Sequence, residues 1–181
     1  MERTGMERKR AGRTVVLALL AASAWPTPAG SSPGTGPIAH LPGTLDPQNF
    51  LARIARGELP AARLYEDDRV IAVLADRPSA PGHFMVWLTH SDARDLLEVA
   101  PDDLAHMMQV IQRIARATVQ ALGAEGITVR QNNGSASNVH QFHVHVIPRW
   151  PGDRLPDSPP AAVPLESLAK TAARIRAAMT L

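Results

Sequence analysis

From Leu104 onward, apolar residues recur three and four positions apart, through Met107, Met108, Ile111, Ala115 and Val119 to Leu122. Ile114 and the methyl of Thr118 widen the stripe. That interval lies along one side of an α-helix. The pattern predicts an amphipathic helix of about 20 residues with a single buried face. Pro101 suits its first turn, Asp102 and Asp103 suit the positive end of its dipole, and Gly123 marks its stop. Elsewhere the pattern shortens to strand-like runs: "ARLYEDD", "VIAVLA", "HFMVWL", "ITVRQ" and "VHQFHVHVI". The first two flank a tight polar turn at Asp67–Arg69 and read as a hairpin. "NFLARIARGE" predicts a short helix or turn ending at Gly57, with Pro60 beyond it. A proline-rich passage, Pro151–Pro164, precedes a terminal helix from about Leu165 to Met179. There is no internal repeat. Strands of this kind around one long helix indicate an α+β domain rather than a doubly wound sheet.

Residues 25–47, "WPTPAGSSPGTGPIAHLPGTLDP", have no periodicity and predict a flexible Pro/Gly/Ser-rich connector. The folded domain is placed at 48–150, followed by a 151–181 segment carrying the last helix. Ahead of the connector, "MERKRAGR" is basic, "TVVLALLAA" is apolar and "ASA" at 22–24 ends in small residues. That is the layout of a secretory signal peptide over residues 1–24, and it persists if Met6 is the true start. Its apolar run of about 10 residues is too short to serve as a stable span. The expected location is periplasmic or extracellular, with a cytoplasmic protein as the alternative if the segment is not a working signal.

Charge changes the picture once the leader is set aside. The 181 residues carry 19 basic and 17 acidic side chains, a formal charge of +2. Residues 1–24 hold five of the former (Arg3, Arg8, Lys9, Arg10, Arg13) and two of the latter (Glu2, Glu7), leaving 14 and 15, or −1. The folded part therefore gives no polyelectrolyte case for a nucleic-acid partner. Apolar residues at 45% suffice for an ordinary core. The absence of cysteine excludes disulfides and thiolate chemistry.

The candidate chemistry sits in "SASNVHQFHVHVIPRW", residues 135–150. In an extended run, Val139, Gln141, His143 and His145 share one face, while His140, Phe142, Val144 and Val146 share a mostly apolar one. Read from the residues alone, His143 and His145 have three explanations. They can be structural histidines. They can be metal ligands, although structural zinc normally takes four protein ligands and only His83 or His90 offers a third. Or one can be a nucleophile, since a neutral imidazole is available near pH 7 to attack phosphorus. The preceding loop, "NNGSASN", offers backbone N–H groups together with Ser135, Ser137 and Asn138 as phosphate donors.

Taken in order, "GELPAARLYEDDRVIAVLADRPSAPGHFMVWL", a helix and "NNG…QFHVHVIPR" resemble the histidine triad (HIT) family of nucleotide hydrolases and transferases, over about residues 49–150. The resemblance implies an antiparallel sheet of about five strands, a two-fold homodimer, a purine nucleotide or related phosphorylated substrate, and reaction at the α-phosphate. It implies His143 as nucleophile, His145 as third histidine, His83 as the separate histidine of the neighbouring strand, and Asn133 or Asn132 as a residue holding the site. It implies no cofactor. Several positions depart from the family pattern. Gln141 replaces the first histidine, and a glutamine donates and accepts but does not titrate. The ribose-binding aspartate is displaced from Ala75 to Asp76. The loop before the triad is reduced to Ala136-Ser137-Asn138, and Thr89 stands where a lysine is usual. The cysteines that carry zinc in some relatives are Asn49 and Ala52, so no metal site is expected. These departures leave a second reading, a catalytically weak or inactive nucleotide-binding module of the same fold.

Overall fold

The computed structural model describes residues 41–158 and 160–179. The expected signal segment 1–24 and residues 25–40 of the expected connector lie outside the described residues. Asn49 opens the first helix, α1 (Phe50–Ala55), by accepting the N–H groups of Leu51 and Ala52 on its side-chain oxygen. These are backbone donors that no earlier helical turn can satisfy. The strands are β1 (Arg63–Glu66), β2 (Val70–Leu74), β3 (Phe84–Leu88), β4 (Gly126–Gln131) and β5 (His143–Arg149). They form one sheet in the order β1-β2-β3-β5-β4, every neighbouring pair antiparallel. Two longer helices, α2 (Pro101–Leu122) and α3 (Leu165–Met179), complete the α+β architecture.

The side-chain alternation assigns the two faces. Val70, Ala72, Leu74, Phe84, Val86, Leu88, Val144 and Val146 pack with α2 and α3 around Met107, Ile114, Ala172 and Ile175. The opposite face carries Ile71, Val73, Met85 and Trp87, which pack with Leu51 and Ile54 of α1. Burial on both faces explains why β2 and β3 read as continuous apolar runs. The hairpin turn is tied to α2 through Asp67. One carboxylate oxygen accepts the N–H groups of Arg69 and Val70, and the other meets the Tyr65 hydroxyl and His106. Burial pushes this carboxyl up, but those bonds prevail and hold it at about 2.

Two elements differ from the sequence pattern. β5 begins at His143 instead of Val139, because the chain bends at Gln141 and the Phe142 N–H turns to the Ala93 carbonyl at 2.8 Å. It then continues through Pro148, which lies beyond the last β3 partner and faces only Ile127 of β4, so no ladder bond to β3 is forfeited. On α2 the buried arc runs through Met107, Val110, Ile111, Ile114, Ala117 and Thr118. Met108 and Val119, predicted to be inside, are 43% and 36% exposed. The arc is displaced because α3 packs along α2 and shares its buried side with the sheet. Met108 and Val119 instead line an open apolar groove of about 650 Å³ with Ile127 and Val129 of the edge strand β4.

Residues 41–47, the end of the expected connector, lie against the loop that precedes β5. The Gly43 carbonyl accepts from Arg94 at 2.7 Å. Its φ of 138° and the His140 ring beside its α-carbon leave no room for a side chain there. Gly82 plays a similar part ahead of β3. With φ 79° and the Leu122 side chain of α2 in the path of any Cβ, it sets the approach of the next residue, His83.

Candidate active site

β3 and β5 place Met85 opposite His145 and Trp87 opposite His143. Directly opposed residues project from the same face. His143 and His145 therefore stand on the face that α1 partly covers. The structure also brings His83 there: ring centroids are 4.9 Å apart for His143 and His145, and 5.2 Å apart for His83 and His145.

Backbone groups decide where each ring carries its proton. The Ser79 N–H donates to His83 Nδ1 at 3.0 Å, so that nitrogen is an acceptor and the proton of the neutral ring is on Nε2. His83 Nε2 lies 3.0 Å from His145 Nδ1 and donates to it. His145 then carries its own proton on Nε2. His143 Nδ1 is 2.6 Å from the Gln141 carbonyl oxygen. A carbonyl only accepts, so Nδ1 holds the proton and Nε2 keeps a lone pair. His143 is 6% exposed, but its Nε2 is not sealed off. It has no bonding partner, and the only fully buried unpartnered side-chain nitrogen or oxygen among the described residues is Trp87 Nε1. The same holds for His145 Nε2. A lone pair and an N–H are thus left unpaired on two rings whose centroids are 4.9 Å apart.

The three rings are neutral at pH 7. Burial, then the charge of Arg130, holds His83 at about 4. Burial, then His143, His83 and Arg130, holds His145 at about 3. Burial also lowers His143, against the opposing pull of its bond to the Gln141 carbonyl. An unfolded histidine titrates near 6.5. Below that pH the unfolded chain takes up protons that the native rings refuse, so stability falls as pH drops from about 6.5 towards 3 to 4. The expected loss at pH 5 is on the order of 2 kcal/mol for each of His83 and His145. Urea denaturation at pH 7 and pH 5 checks this, and equal midpoints would contradict the buried neutral cluster. Asp67 adds a separate loss as pH falls from about 4 to about 2, where the unfolded carboxyl protonates and the native one does not.

The other sequence candidates are distributed differently. The Gln141 backbone is at the site, while its side-chain oxygen accepts from Asn49 Nδ2 at 2.9 Å. Asn133 uses its side-chain oxygen on the Leu96 N–H at 2.8 Å. The buried Ser137 hydroxyl donates to the Val139 carbonyl at 2.7 Å. Ser135 and Asn138 are exposed on the loop and make no hydrogen bond to the histidines. Asp76 is exposed and lines a recess of about 540 Å³ with Ile54, Val73, Met85 and Val163. Met85 is the cross-strand partner of His145, so one residue of the recess wall stands beside the histidine cluster.

Arg130 is a site residue that sequence reasoning missed. It is exposed on β4 directly opposite His145, and so adds a fixed positive charge to the histidine face. The alternation in "ITVRQ" puts Arg130 on the same side as Thr128, but only the pairing register shows which side that is. Among the described residues, no group of three or more His, Cys, Asp or Glu side chains could hold a metal ion.

A five-stranded antiparallel sheet with paired imidazoles on β5, the strand next to its β4 edge, defines the class of fold and site. The HIT domain model matches residues 56–152, and the chain belongs to that family. It is 41% identical over 108 residues to an uncharacterized HIT-like protein of Mycobacterium tuberculosis, covering 59% of this chain and 74% of that one. It is 32% identical over 114 residues to the adenylylsulfatase HINT3 of Arabidopsis thaliana, covering 62% and 57% respectively. Among solved structures, the Bartonella henselae HIT-like protein described as involved in cell-cycle regulation superposes with a TM-score of 0.70 at 39% identity. That match covers 75% of this chain and 99% of the other.

Proposed function

We propose that the protein hydrolyses or transfers the nucleotidyl group of nucleotide phosphoramidates or phosphoanhydrides through a covalent nucleotidyl-histidine at His143. The supporting observation is an unpaired lone pair on His143 Nε2 and an unpaired N–H on His145 Nε2, on rings whose centroids are 4.9 Å apart. His143 Nε2 attacks the α-phosphorus, and the new N–P bond forms as the bond to the leaving nitrogen or oxygen breaks. His145 Nε2–H donates to the leaving atom as charge develops on it. Water then attacks phosphorus and gives up a proton to His145 Nε2, replacing the one passed to the leaving atom; the N–P bond breaks, and a nucleoside monophosphate departs with the His143 lone pair restored. Arg130 and the loop donors of Ser135, Asn138 and Asn133 face the phosphate oxygens. The apolar recess by Met85 receives the base, with Asp76 at the ribose. The name of the Arabidopsis relative supports a nucleotide anhydride as the substrate class.

The test is direct. Purified full-length protein releases AMP from adenosine phosphoramidate or adenylyl sulfate. Failure with both would remove the hydrolase reading and leave the nucleotide-binding module. The expected partner is a second copy of the chain, seated on the groove of Met108, Val119, Ile127 and Val129, where among the described residues β4 has no strand neighbour on its outer side. Val129→Arg is expected to convert the dimer to a monomer in sedimentation velocity, and a wild-type protein that sediments as a monomer would refute the assignment. Export remains part of this proposal on the composition of residues 1–24 alone. No helix among the described residues is long and apolar enough to cross a membrane.

A further inference from the structure

Gln141 is the position where this chain departs from the triad pattern, and its side chain is 8% exposed. A buried carboxamide requires partners, since leaving its groups unsatisfied costs about 1–3 kcal/mol. Its oxygen finds Asn49 Nδ2 at 2.9 Å, across 92 residues of sequence. The Asn49 amide is fixed in orientation. Its oxygen accepts from the Leu51 and Ala52 N–H groups at 2.9 and 3.1 Å, and its nitrogen also donates to the Asp46 carbonyl at 2.6 Å. Turning this amide over would set N–H against N–H at the helix cap and oxygen against oxygen at Asp46. Asn49 therefore presents a donor to Gln141 in one direction only.

The residue held this way supplies the proton acceptor of the nucleophile. The peptide unit between Gln141 and Phe142 is tied at both ends, by Phe142 N–H to the Ala93 carbonyl at 2.8 Å and by its own carbonyl to His143 Nδ1 at 2.6 Å. We infer that Asn49 is a positioning residue, which through Gln141 holds the carbonyl that keeps the His143 proton on Nδ1 and its lone pair on Nε2. In this account Gln141 is a strut between the α1 cap and β5, and its failure to titrate is immaterial. The catalytic consequence rests on the hydrolase reading above, while the effect on the ring does not.

Two full-length variants test the strut. Asn49→Ser retains a helix-capping oxygen but is too short to reach Gln141. Gln141→Met keeps the side-chain volume and leaves the α1 cap intact while removing the acceptor. The proton positions on the His143 ring, read without substrate from long-range ¹H–¹⁵N correlation spectra, are expected to shift in both variants from pure Nδ1–H towards a tautomer mixture. With adenosine phosphoramidate, kcat is expected to fall by about 10- to 100-fold, as for other groups that orient a site's first-contact residues, with KM little changed. The double variant is expected to lose no more than the worse single one, because both substitutions break the same bond. Wild-type ring signals in both variants would overturn the strut whatever the enzyme does. Shifted ring signals in a protein with no turnover would uphold it and reject the hydrolase instead.

Discussion

His143→Ala is expected to lower turnover of adenosine phosphoramidate by on the order of 10⁴-fold or more, with nucleotide binding largely retained. The loss is this large because no other group at the site can replace it. His83 has both nitrogens engaged, Nδ1 by the Ser79 N–H and Nε2 by His145. His145 Nδ1 is occupied by His83, and its Nε2 carries a proton. Gln141 offers an amide, which is not a nucleophile at neutral pH. Removing His143 Nε2 thus removes the only lone pair that reaches the open side of the cluster. A single-turnover assay, with calorimetry of AMP binding beside it, checks the result. Equal rates for wild type and variant would mean that water attacks phosphorus directly and that the ring is structural.

His145→Ala is expected to cost about 10²- to 10⁴-fold with a poorly departing amine, and far less with an activated aryl ester of the same nucleotide. His83 donates to His145 Nδ1, so the His145 N–H faces outward. Burial and the neighbouring rings keep His145 neutral when the site is empty. An anionic phosphate opposes those influences, because a nearby negative charge favours the protonated ring. Bound substrate therefore raises the proton affinity of His145, so that a protonated ring forms more readily beside the leaving atom. The value of His145 scales with how much the leaving group needs that proton. Comparing kcat for an amine and an aryl-oxide leaving group, in wild type and variant, measures this. An equal loss on both substrates would assign His145 to placement of the phosphate rather than to the departing atom.

Much of the fold is legible in the sequence because local rules and tertiary packing agree. The α3 limits follow from apolar spacing after a proline passage. The α2 limits follow from Pro101 and Gly123, whose φ of 68° is the left-handed stop expected of that glycine. The start of β5 is not legible. The bend before His143 is set by the Ala93 carbonyl, a group from the loop after β3 that has no local signature. The same limitation applies to α2, where periodicity marks an apolar side but not how α3 and the sheet divide it.

The site divides in a similar manner. His143 and His145 share a face by alternation, and that part needs only a strand. Their proton positions depend on two backbone groups, the Ser79 N–H and the Gln141 carbonyl, which composition cannot reveal. Asn133 is a phosphate-side candidate from its loop, and only the fold shows that its side-chain oxygen is committed to Leu96, which leaves the amide N–H groups as its donors. The place of Arg130 is hidden in the sequence for the opposite reason. Shifting the β4 register by one residue would turn it away and bring Gln131 in, and nothing within "ITVRQ" excludes that shift.

Mass spectrometry of enzyme quenched with base during turnover decides whether His143 carries the nucleotidyl group. Mixed with a slow adenosine phosphoramidate, the wild-type chain is predicted to gain the mass of one nucleotidyl group, located on His143 by peptide mapping and absent from His143→Ala. Full-rate hydrolysis by an unmodified chain under conditions that preserve N–P bonds, or an adduct on another residue, would contradict it.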